Sequence, residues 1–141
     1  MAVGAFLRDN ARWLAGGFLL FYFSAFGQTF FISLSAGAIR REYGLSHGEF
    51  GSLFMAATLA SALTLTRLGQ IVDRHGARRV AMLIVPMLAL AALGMALSRH
   101  AALLFATLYL LRLFGQGMMA HTAFTLMGRW FHAQRGRAIS I

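Results

Sequence analysis

Residues 69–80 read GQIVDRHGARRV, and one acid and three arginines crowd between Asp73 and Arg79. Such a cluster can serve acid–base catalysis, metal binding or ion pairing between structural elements. Catalysis needs a nucleophile or acid–base pair held by an orienting third group, and the chain shows no such set. Metal binding needs ligands at fixed spacing. The chain has no cysteine, and its histidines (His47, His75, His100, His121, His132) are scattered. No catalytic residue, metal site or cofactor is therefore expected, and the chain does not read as an enzyme. Ion pairing remains. An acid at a helix C-terminus meets the negative end of the helix dipole, at a cost of about 0.3–1 kcal/mol, so Asp73 is poorly placed by local rules. Arg78 and Arg79 are equally awkward at the start of the next helix. Partners should then be distant: for Asp73, Arg129 or the N-terminus of a further helix. Gly69, one turn before Asp73, gives a neighbouring helix room to approach. On the residues alone, a plainer reading stays open, in which these are topology-setting charges with one neutralising acid.

The elements that must position this cluster are membrane helices. The chain is 59% hydrophobic and 12% charged, against roughly 45–50% apolar and about a quarter charged for a soluble domain. The net charge of +9 raises nucleic acid as a partner, but the basic residues fall in short loops between apolar runs, which argues against it. Four segments reach the ~20 apolar residues that a span requires: about 13–36, 48–72, 80–97 and 101–128. Short connections make successive helices antiparallel. Ser46 and Glu49 have capping-box spacing at the start of the second helix. Gly76 stands where a left-handed terminating residue is expected, and Pro86 should bend the third helix. Trp13 and Trp130 fall at ends that share one interface. A basic start followed by Ala36-Gly37-Ala38 also suits a signal peptide, but the apolar stretch is longer than its usual ~7–15 residues.

All thirteen basic residues are arginine. Arg8, Arg12, Arg74, Arg78, Arg79, Arg129, Arg135 and Arg137 lie on one side, and Arg40, Arg41 and Arg99 on the other. The positive-inside rule puts the first group in the cytoplasm. The expected organisation is a cytoplasmic N-terminus (1–12), a four-helix transmembrane part (13–128), and a cytoplasmic loop with the start of a truncated fifth helix (129–141). The expected location is the cell (plasma or inner) membrane, multi-pass.

Arg112 is the most informative charge within a span. It lies about 16 Å into its helix at ~1.5 Å per residue, near the midplane. An arginine there costs about 2.5–3.5 kcal/mol on insertion scales and faces a bundle interior or cavity. It either attracts an anionic group of a solute or tunes a coupling acid, or is satisfied by backbone carbonyls and Gln116, one turn along. Ser24, Gln28 and Ser35 share a helical face, fit either to line a cavity or to bond between helices. Arg67 is near enough to the interface to snorkel. His121 is expected on the face opposite Arg112, as a packed or hydrogen-bonded histidine. Gly48, Ser52, Ala56 and Ala60 read as a close-packing ridge.

With these residues in view, Gly69-x-x-x-Asp73-Arg74-x-Gly76-x-Arg78-Arg79 resembles the loop between helices two and three of the major facilitator superfamily (MFS). Arg112-Leu-Phe-Gly115-Gln116-Gly117 is similar to that family's fourth-helix motif, with Gly115 and Gln116 reversed from the common R-x-x-Q-G form. Residues 128–141, GRWFHAQRGRAISI, resemble its basic link into helix five. The general layout looks closest to the oxalate/formate and monocarboxylate carrier branch. The resemblance implies an all-α polytopic membrane protein: four transmembrane helices of an N-terminal six-helix bundle, in a twelve-helix secondary transporter working by alternating access. It implies that Asp73, Arg74, Arg78 and Arg79 latch the cytoplasmic side against helix eleven, with Gly69 and Gly76 supplying close contact and the turn. Arg112, Gln116, Gln28 and Ser24 become candidate cavity or coupling residues. The implied partners are a small solute, an organic anion among the candidates, the lipid bilayer and the C-terminal part of the same chain. The rivals are complete four-helix membrane proteins: a small multidrug exporter, which needs an acid in the first helix, or a structural or assembly protein.

Overall fold

The computed structural model describes residues 3–132 and 135–140, without the side chains of Val3, Ile71, Val72, Asp73, Ala77 and Arg137. In chain order it contains α1 (Val3–Ser24), a 3₁₀ turn (Ala25–Gly27), α2 (Thr29–Tyr43), α3 (His47–Arg74), α4 (Ala77–Leu97) and α5 (Ala101–Leu111). A π-helical segment (Arg112–Met119), α6 (Ala120–Trp130) and α7 (Arg135–Ile139) complete it. No strand occurs among the described residues. Among the described residues, four helical stretches are long and apolar enough to cross a membrane: Gly4–Tyr43, His47–Gln70, Arg78–Leu97 and Ala101–Trp130. The first combines α1, the 3₁₀ turn and α2; the last combines α5, the π segment and α6. The segment before Trp13, expected as a cytoplasmic N-terminus, is already helical from Val3.

Three apolar clusters hold the bundle. At one end, Phe6 and Leu14 of α1 meet Leu126, Met127, Phe131 and Ala138. Trp13 and Trp130 lie 4.7 Å apart there, between ring centroids, so the two tryptophans do share one end of the bundle. In the middle, Val80, Ile84, Leu88 and Ala91 present one α4 stripe to Leu111, Leu113, Met118 and Met119; their spacing of four, four and three is the helical period. At the far end, Ile32, Ala57, Leu104 and Leu108 pack with Tyr43 and Phe50 alongside. Many exposed large residues, such as Phe18, Tyr22, Phe30, Leu34 and Leu63, remain on the outside. In lipid such residues need no aqueous burial, and helix contact comes from fit and hydrogen bonding instead.

Several buried hydroxyls are satisfied internally, as the membrane rule requires, while Thr58 Oγ1 and Ser98 Oγ have no partner among the described residues. Ser24 Oγ donates to Phe21 O at 2.6 Å, Thr122 Oγ1 to Met118 O at 2.7 Å and Ser61 Oγ to Thr58 O at 2.7 Å. Polar contacts also tie helices together: Tyr43 Oη donates to Ser98 O at 2.7 Å, and the Thr64 and Tyr109 hydroxyls share a 2.9 Å bond. The capping box at the start of α3 forms as its spacing predicts. Ser46 N donates to Glu49 Oε2 at 2.8 Å, and Glu49 N donates to Ser46 Oγ at 3.2 Å.

The structure corrects four sequence expectations. Gly76 is not left-handed; at φ −61° and ψ 134° it is the extended N-cap of α4. The left-handed cap is Gly44, at φ 63°, which ends α2 and donates its N–H to Arg40 O. The sequence reasoning overlooked it because it treated the first span as ending near residue 36. Ser24, Gln28 and Ser35 do not form one stripe. The angle between them was counted on a continuous helix, whereas the 3₁₀ turn and the extended Gln28 (φ −77°, ψ 149°) reset the rotation. His121 lies away from the buried Arg112 as expected, but it is exposed, not packed. Finally, Gly48, Ser52 and Ala56 are exposed and Ala60 only half-buried; α3 packs through Ala57, Ser61 and the residues beside them.

Candidate functional site

The fold interrupts two helices at about the same depth, and the interruptions meet. Helix one breaks at Ala25–Gly27 and Gln28, while helix four loosens into the π segment. Gly27 faces Gly115 so closely that a β-carbon on Gly115 would lie 2.7 Å from the Cα of Gly27. A β-carbon on Gly27 would run into Leu111 O, Gln116 N and Gly115 Cα. Only a residue without a side chain fits either position.

Arg112, the first residue of the π segment, reaches across this contact. Its Nη1 donates to Gly27 O at 3.1 Å and to Thr29 Oγ1 at 3.0 Å. It thus touches both sides of the break: the carbonyl ending the 3₁₀ turn and the hydroxyl at the first residue of α2. The guanidinium carbon lies 5.2 Å from the centroid of the Phe54 ring on α3, a cation–π contact worth about 0.5–2 kcal/mol. Arg112 is 7% exposed. Its Nε is buried and has no hydrogen-bond partner among the described residues. The expectation of backbone carbonyl contact is met by Gly27. Gln116 takes no part in it: its side chain is exposed.

Beside the break, Ser24 and Gln28 line a cavity of about 620 Å³ with Phe18, Phe21, Tyr22 and Phe30. Ser35 lines a different one, with Phe31, Ile32 and Ile39. Arg112 and Gln116 line neither, so the candidate cavity residues fall into two places: Ser24 and Gln28 on an aromatic-walled hollow, and Arg112 on the inner side of the break.

The charged loop lies at the end of the bundle that α3 and α4 share. Asp73 and Arg74 are in the last turn of α3, and Arg78 and Arg79 in the first turn of α4. Arg74, Gly76, Arg78 and Arg79 are exposed. The side chain of Asp73, and with it the expected latch, lies outside the described residues. Arg129 closes α6, exposed at the tryptophan-bearing end. A β-carbon on Gly69 would meet nothing within 4 Å among the described residues.

The sequence model of the Major Facilitator Superfamily matches residues 14–141. The chain belongs to this superfamily. MFS members are transporters, and the four apolar stretches make this one an all-α, multi-pass membrane protein. The match does not separate branches within the MFS, so the narrower likeness to oxalate/formate and monocarboxylate carriers gains no support. No curated protein and no solved structure matches the chain.

Gly27, Thr29 and Phe54 escaped the sequence reading. One signal was available for the first: Phe-Gly-Gln occurs twice, at 26–28 and 114–116, and the two glycines of these tripeptides are the ones in contact.

Proposed function

We propose that the chain serves a secondary transporter that moves a small solute by alternating access, gated at the cytoplasmic face by the loop from Gly69 to Arg79. The observation that carries this reading is the MFS match across residues 14–141, which includes the whole loop. In this reading Asp73, held against the negative end of its own helix, pairs with cationic groups or a helix N-terminus contributed from elsewhere. Arg74, Arg78 and Arg79 extend the ion-pair network, Arg129 is a candidate partner, and open space beside Gly69 admits a neighbouring helix. Gly76 gives the loop its short extended link. The loop and the N-terminus face the cytoplasm across the cell membrane, as the arginine distribution favours.

Ser24 and Gln28 form the polar part of a solute path beside the break in helix one. Arg112 and Gln116 act in coupling or in attracting a solute, for which an organic anion is the best chemical match to a buried cation. The gate is tested in the intact protein, reconstituted in proteoliposomes. Asp73→Asn should slow the exchange between inward- and outward-open states while leaving solute affinity nearly unchanged. Wild-type turnover in that variant would falsify the gate.

A further inference from the structure

We propose that His121 is a proton-binding group on a water-lined edge of the fourth span. Ala101–Trp130 is the most enclosed of the four apolar stretches. Between Leu111 and Met127 only Gln116, His121 and Phe124 are exposed. The open edge of this helix thus carries an amide and an imidazole. The outer face of α4 is the contrast: its exposed Leu83, Val85, Leu90 and Leu93 are what a lipid-facing surface presents. His121 lies nine residues before Trp130, about 13 Å along the axis at ~1.5 Å per residue. That is well inside a hydrocarbon layer roughly 30 Å thick. Ionisable residues at such depth face a bundle interior or a water-filled cavity. The third exposed residue says where that cavity begins. The Phe124 ring stands 5.2 Å from that of Phe21, which lines the hollow shared by Ser24 and Gln28.

The imidazole makes no hydrogen bond among the described residues. Its helix, α6, packs against α1, α3, α4, the π segment and α7. Within the membrane these bring Tyr22 from α1, Arg67 from α3 and Arg112 from the π segment, the last turned inward to Gly27 and Phe54. None is an acid. Asp9 precedes Trp13, and Asp73 is in the last turn of α3. The arginines of α4 and α7 stand in the first turns of those helices, and Arg129 on α6 itself adjoins Trp130. An imidazolium at His121 therefore has no carboxylate to receive its charge and must be solvated by water. Water contact and proton binding stand or fall together. Imidazole is also the side chain whose ordinary titration falls between about pH 5 and 8. The step is a plain acid–base exchange: the unprotonated ring nitrogen takes a proton from water and later returns it. As the carrier of a coupled proton, His121 rests on the transport reading above; its solvation and titration do not.

The test uses the intact protein in phosphatidylcholine nanodiscs, with any other cysteine replaced for the labelling arm. Sulfonatoethyl methanethiosulfonate, which does not enter lipid, is applied to His121→Cys and to Leu90→Cys on the outer face of α4. His121→Cys should react about tenfold faster or more, because the reagent needs a hydrated thiolate. In the second arm the histidines carry a nitrogen label, and the resonance missing from His121→Gln is followed in the unsubstituted protein. It should move from its protonated to its neutral position as the pH rises from about 5 to about 8. If His121→Gln fails to fold, His121→Asn supplies the assignment. Equal reactivity of the two cysteine variants overturns the proposal, and so does a His121 resonance that stays neutral throughout. Neither readout uses turnover or Asp73. A dry or untitrating His121 therefore leaves the gate standing, and failure of the gate leaves these readings unchanged.

Discussion

Two glycines decide how closely helices one and four approach, and they differ in kind from glycines that are merely tolerated. A methyl at Gly27 would meet backbone atoms of Leu111, Gly115 and Gln116, none of which can move without shifting a helix. A methyl at Gly17 would meet only the flexible end of the Met127 side chain. Overpacking typically costs about 1–3 kcal/mol, whereas alanine is favoured over glycine by up to ~1 kcal/mol inside a helix. Gly27→Ala should therefore lower the thermal midpoint in nanodiscs, and Gly17→Ala should leave it near the parent value or raise it. Equal losses from both would mean that the glycine contact does not set helix spacing. At this scale the sequence exposed Arg112 as a buried cation, since a midplane charge is conspicuous in an apolar run. It did not show who would meet that cation. The partner is a carbonyl freed by a helix break, and a carbonyl has no residue type by which to be recognised.

Elements with local chemistry were the legible ones. The second helix begins where Ser46 and Glu49 satisfy each other's backbone N–H groups. Replacing an N-cap serine by alanine costs about 1 kcal/mol, so Ser46→Ala should speed amide exchange at Glu49 and Phe50 while sparing the core of α3. Unchanged exchange there would show that the cap is idle. The apolar period also gave the four spans to within a few residues at most ends, and the α4 stripe through Ile84 and Leu88 follows it closely. The interruptions were hidden for a physical reason. A 3₁₀ turn or π segment shifts hydrogen bonds by one residue, and such a shift is chosen by what packs across it, here Gly27 against Gly115 and Arg112 against Thr29. Pattern reading that assumes a uniform helix then puts Ser35 on the wrong face.

At the scale of the molecule, these 141 residues contain no cysteine, so single cysteines placed in them, with any elsewhere in the intact protein replaced, report orientation. Single cysteines at His132 and His100 stand at opposite ends of the fourth span. With the N-terminus inside, an impermeant maleimide added to intact cells should label His100→Cys and not His132→Cys; the reverse pattern would overturn the proposed orientation. Fold class and span count were readable from hydropathy because lipid tolerates so few alternatives to a helix. The pairing of helices was not, since apolar faces look alike until their shapes meet.

That pairing bears on how the protein is made. Phe6, among the most deeply buried side chains, rests against Phe131 at 5.4 Å, a residue from the opposite end of the sequence. As the ribosome delivers the chain from its N-terminus, α1 enters the bilayer long before α6 exists. Throughout that interval its aromatic surface has only lipid or the insertion machinery for company. A stalled or shortened translation product would keep that surface bare, and the first span would be the part that quality control meets.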